Sequence, residues 1–166
     1  MSATHHPQDE LLLAHATGAA DEALSLIVAT HLALCPLCRA KVARMEALGG
    51  TVLDELAPAP VSDGALKSVL AHLDDTPLPR PAPRADAQPS LAPEPLRSYL
   101  GGDLDRVAWR NISFGISFHD LFRRGGTRAR LIRSRPGRSV GLHSHHGEEL
   151  TLVLTGGFTD ETGHYV

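Results

Sequence analysis

Cys35 and Cys38 are the only two cysteines in this 166-residue chain, and His31 stands four positions before the first of them. Residues four apart on a helix project from one face, so His31 and Cys35 point the same way. Pro36 lies between the thiols. It cannot continue a helix without losing a hydrogen bond, but its ring is pre-organised to begin one. Cys38 therefore falls on the first turn of a second helix, and the string predicts two thiolates and one imidazole converging at a helix corner. That soft donor set suits zinc. A closed four-coordinate site needs one more ligand, and His5, His6 and His15 are the candidates; His6 sits just before the first predicted helix. Two other readings compete. A redox C-x-x-C opens a helix directly after a strand, whereas Cys35 follows a helix. A chance pairing of buried thiols with a core histidine is the second, and the string's position between two amphipathic helices argues against it.

The surrounding periodicity is helical. A short helix is expected from about Asp9 to Thr17, stopping at Gly18. Asp21 offers an N-cap to a second, in which Leu24, Ile27, Val28, His31, Leu32 and Cys35 share a stripe. The third starts at Pro36 and is expected to end near Leu48, before Gly49-Gly50. Leu66, Val69, Leu70 and Leu73 mark a fourth, capped by Ser62 or Asp63. Residues 76–95 hold seven of the twelve prolines and almost no apolar periodicity, so they read as a linker.

Beyond the linker the pattern changes to alternation. Residues 112–118 read as one strand, with further short strands expected near 129–132, 140–142 and 150–154. The chain is thus an α + β, two-domain protein: an all-α zinc-binding bundle over residues 1–75, the linker, and an all-β barrel or sandwich over 96–166. The second domain carries Gly137-x5-His143-x-His145-x3-Glu149-x6-Gly156. Two histidines two apart on a strand face the same side, and Glu149 beyond the turn at Gly147 completes a two-His, one-carboxylate face for a divalent metal. His146 and Glu148 are expected to be solvated, and a plain histidine-rich surface turn is the competing reading.

Charge narrows the partners. Residues 1–75 hold ten acidic and four basic residues, a balance of −6, while residues 76–166 hold nine acidic residues and twelve arginines. An acidic helical module repels phosphate backbones, which disfavours direct nucleic-acid binding and suits a basic protein. No run of eighteen apolar residues offers a membrane span, and the opening MSATHHPQDE has no secretion-signal pattern, so the expected location is the cytoplasm.

Both halves together resemble a known family. The spacing His6-x24-His31-x3-Cys35-x2-Cys38 is similar to that of the zinc-binding anti-sigma factors of the ChrR type, and residues 137–156 resemble the first cupin motif that follows it there. The stretches SLIVATHLALCPLCRAKV and EELTLVLTGGFTDET extend the likeness over nearly the whole chain. The resemblance implies a zinc site at His6, His31, Cys35 and Cys38, and a second site at His143, His145 and Glu149 that holds zinc or another divalent metal. It implies a jelly-roll (cupin) second domain, expected to be incomplete because the chain reaches Val166 before a second cupin motif. It also implies a partner, an extracytoplasmic-function sigma factor that the helical module binds and inhibits, with release on singlet oxygen or oxidative stress. Leu66, Val69, Leu70 and Leu73 would press on that partner; packing inside their own bundle is the competing role. The expected class is a regulator without catalytic turnover. The alternatives are a metal-dependent cupin oxygenase or isomerase and, against the charge of the first module, a DNA-binding zinc module.

Overall fold

The computed structural model describes residues 4–73, 90–139, 141 and 147–166. It contains helices followed by antiparallel strands. The helices are α1 (Asp9–Ala16), α2 (Glu22–Leu34), α3 (Pro36–Asp54), α4 (Ala65–Leu73) and α5 (Glu94–Leu100). After a 3-10 turn at Leu104–Arg106 come β1 (Arg110–Ser113), β2 (Ile116–Arg124), β3 (Thr127–Ser134), β4 (Phe158–Thr159) and β5 (His164–Tyr165). Contacts divide the chain into two compact units, Met1–Ala47 with Ser90–Val166, and Leu48–Pro89.

The first three helices form where the sequence directs. α1 gives way at Gly18, whose φ of +71° lets the N–H groups of Ala19 and Ala20 turn back onto the Ala14 carbonyl. Asp21 caps α2, its carboxylate accepting the Leu24 N–H at 2.8 Å. α2 stops at Cys35, which is extended (φ −113°, ψ 105°) because a residue before proline is excluded from the helical region. Pro36 then opens α3, and the two helices bend by 119° at this break. α3 differs from expectation at its far end: it runs through Gly49 and Gly50 to Asp54. Glycine costs a helix about 1 kcal/mol relative to alanine, a penalty that weakens a helix without forbidding it.

Leu12, Val28, Cys35, Cys38 and Val42 are the buried core of these helices, with Ala16, Leu24, Ile27, Leu32 and Met45 packed around them. Two of the five central side chains are thiols. In the same unit α5 packs on α2, Leu96 and Leu26 both being buried.

The strands β1, β2 and β3 form one antiparallel sheet in that order, and β4 pairs with β5. Residues 112–118, expected to be a single strand, are instead a hairpin. Phe114 and Gly115 form its turn, and Gly115 has a φ of +86°, which a side chain would oppose. β2 and β3 are joined by Gly125 and Gly126, both at positive φ, the requirement of a tight two-residue hairpin turn. Residues 150–154 are not a strand, since no described segment pairs with them. Of the strand expected at 140–142, only Gly141 is described, and it is not in a strand; the linker expectation falls mostly on residues 76–89, outside the described residues.

Candidate metal centre

His6, His31, Cys35 and Cys38 offer four donor atoms that all lie within 4.8 Å of one another. Each comes from a different piece of local structure. His6 sits on the segment that leads into α1, His31 on the last turn of α2, Cys35 at the corner and Cys38 on the first turn of α3. The three donors from the corner are buried.

Three of the six donor–donor spacings are short enough for one shared ion. Nε2 of His31 is 3.3 Å from Sγ of Cys38, and Nδ1 of His6 is 3.5 Å from Sγ of Cys35 and 3.4 Å from Sγ of Cys38. Metal–nitrogen and metal–sulfur bonds of about 2.0–2.3 Å in tetrahedral geometry require donor–donor edges of about 3.3–3.8 Å. The three short edges match that requirement and the remaining ones stay within 4.8 Å, so the residues fit a divalent ion bound by two thiolates and two imidazoles. The His6 and His31 rings meet edge to face, with centroids 5.8 Å apart, as two imidazoles aimed at one point do.

The electrostatics are consistent with a cation there. Burial, with the neighbouring Cys35 adding to it, pushes the Cys38 thiol up to about 11. Burial lowers His31, with His6 adding repulsion between two positive rings, so the imidazole stays neutral with a lone pair to donate. A divalent ion reverses the thiol balance by stabilising thiolate, so loading the site releases protons. Around the cluster, the Cys38 N–H faces Cys35 Sγ at 3.5 Å. Arg39 donates to the Leu32 and Ala33 carbonyls at 2.6 and 3.3 Å, covering the exposed end of α2. Lys41 pairs with Asp9 at 2.7 Å, tying α3 to α1. Sequence reasoning did not single out these two cations, because their partners lie six to thirty-two positions away.

The structure selects among the histidines that spacing left open. His6 joins the cluster. The His5 ring stacks on Tyr165 with centroids 4.5 Å apart. His15 is not in the cluster, and its buried Nδ1 has no hydrogen-bond partner among the described residues. In the second proposed site, His143 and His145 lie outside the described residues, and Glu149 is exposed. Leu66, Val69, Leu70 and Leu73 lie on α4 and are 70%, 60%, 52% and 64% exposed.

Comparison with known proteins joins this geometry to a family. Residues 99–166 match the family described as the ChrR cupin-like domain. The chain is 46% identical over 165 residues to the anti-sigma-E factor ChrR of Cereibacter sphaeroides, covering 99% of this chain and 76% of that protein. Its fold is similar to a chain in the crystal structure of Rhodobacter sphaeroides SigE in complex with the anti-sigma ChrR, at a TM-score of 0.84 and 43% identity over 99% of this chain and 83% of that one. A likeness of that depth over almost the full sequence places the chain in the ChrR family of anti-sigma factors.

Proposed function

We propose that the protein binds and inhibits an extracytoplasmic-function sigma factor, lowering transcription initiation without any catalytic turnover of its own. The likeness of nearly the whole chain to a named anti-sigma factor carries this reading. The exposed apolar side chains of α4 supply a surface for such a partner, and the charge of −6 over residues 1–75 suits a basic one. Residues 1–75 are the helical anti-sigma module, 76–95 the linker and 96–166 the cupin-like domain. The relative is named as a regulator, which sets the oxygenase or isomerase reading aside.

Two cysteines and two histidines brought within 4.8 Å of one another are a donor set that selects zinc. When bound, it supplies a fixed crosslink between the segment before α1, α2 and α3. His31 and Cys35 orient the end of α2, Cys38 orients the start of α3, and His6 closes the site. His143, His145 and Glu149 form a second site for zinc or another divalent metal, and singlet oxygen or a related oxidant frees the sigma factor, both following the family resemblance. The proposed location is the cytoplasm, with no direct contact to nucleic acid or membrane; no single described helix is long and apolar enough to cross a bilayer.

Co-expression with a sigma factor encoded beside it tests the reading. The two proteins should co-purify in equal amounts with zinc bound, and the complex should fail to start transcription from the sigma factor's promoter. A zinc-loaded protein that neither retains a sigma factor nor lowers transcription would end this reading.

A further inference from the structure

The first turn of α2 receives side chains from three other elements. Glu22 accepts two hydrogen bonds from the Arg124 guanidinium at the end of β2, at 2.7 and 2.6 Å, and one from the Tyr99 hydroxyl of α5 at 3.2 Å. Asp21 divides its carboxylate: Oδ1 caps α2 through the Leu24 N–H, while Oδ2 accepts the Thr127 hydroxyl from the start of β3 at 2.7 Å. Arg124 and Thr127 flank the Gly125-Gly126 turn, so both ends of one tight hairpin are held by two adjacent carboxylates. Beneath them Tyr99 packs against Phe122, with ring centroids 5.4 Å apart. The other end of α2 carries His31 and leads directly into Cys35.

We propose that the first turn of α2 is a docking seat for the β2–β3 hairpin and α5, and that this seat and the metal cluster tighten each other through the helix that joins them. A helix of 13 residues spans about 20 Å and transmits a change of tilt at one end to the other. Bringing His31 and Cys35 to the metal restricts the directions α2 can take, and the seat restricts them again. Each constraint lowers the cost of the other, and such coupling is reciprocal. Nothing in this coupling needs the partner protein; it rests only on the assignment of zinc to the cluster.

The experiment uses the full zinc-loaded chain and follows the rate at which zinc passes to a chromophoric chelator. The double variant Arg124→Ala/Thr127→Val removes two donors from the seat and touches no ligand. Zinc release should quicken about fivefold, as expected for losing partly exposed polar pairs, and amide exchange in the β2–β3 hairpin should rise with it. Glu22→Lys should also quicken release, and adding Arg124→Glu should bring the rate back towards that of the wild type. Both of these proteins carry the same lysine at the helix start, so any penalty against the helix dipole cancels in their comparison. Should the double variant fail to fold, Thr127→Val alone deletes one hydroxyl and should still quicken release about twofold. Unaltered release, or no recovery on exchanging the charges, overturns the seat while leaving the zinc assignment standing. Wild-type protein that purifies without zinc overturns the zinc assignment, and this inference with it.

Discussion

A single carboxylate, Asp21, shows how much one side chain sets in this fold. Its charged form is favoured first by the Leu24 N–H and then by the Thr127 hydroxyl, which together hold its pKa below the usual carboxylate range. The sign follows from linkage: a depressed folded-state pKa gives stability that is present above the unfolded value near 4 and lost as pH falls through the folded value. Asp21→Ala should therefore cost roughly 0.5–2 kcal/mol at neutral pH, the usual range for a lost N-cap, measured by denaturant midpoint. Asp21→Asn keeps an oxygen for Leu24 but does not titrate. The stability difference between wild type and Asp21→Asn should shrink as pH drops below about 4, and because acid strips metal from both proteins alike, that loss cancels. A difference that stays constant across this range would show the charge to be idle. The cap was legible in the sequence, since an aspartate just before a helical stripe has one obvious use. The Thr127 contact was not, because it joins residues 106 positions apart.

The helix α4 is the element whose role depends most on what lies outside the chain. Its Leu66, Val69, Leu70 and Leu73 recur at helical spacing, yet more than half of each is exposed. Replacing Leu66 or Leu70 with Asp removes apolar surface from the proposed contact without disturbing any buried core. Either variant should keep its zinc and its helical signal and lose the sigma factor in a pull-down, by at least tenfold in affinity if the side chain sits at the centre of the contact. Full retention of the partner would assign the stripe to some other use. Element by element, legibility followed local rules. Pro36, Asp21 and Gly18 fixed three boundaries because each acts on its own neighbours. The hairpin at Gly115 was read as one strand because alternation looks the same on both sides of a tight turn. α5 went unrecognised because Pro93 and Pro95 matched the linker composition, although a proline on a first helical turn is favourable. The strand expected at residues 150–154 depends on a partner strand, and no local pattern encodes one.

At the scale of the molecule, the question is what holds α1, α2 and the start of α3 together. Their buried core is Leu12, Val28, Val42 and the two thiols, and no aromatic ring belongs to it. A core that small needs a further constraint, and a structural zinc site contributes on the order of 10 kcal/mol in small metal-dependent modules. The cluster was readable from its spacing because three of its four donors lie within eight residues; His6, distant in sequence, was one of three histidines that local rules could not rank. Removing the ion should therefore do more than empty a site. With a chelator, or in Cys38→Ala, the signal from α1, α2 and the start of α3 should fall by more than half in far-ultraviolet circular dichroism, and re-adding zinc should restore it in the wild type only. Metal-free protein that kept its full helicity and still silenced a sigma factor would mean that apolar packing alone shapes the surface, leaving the two buried thiols without a structural purpose.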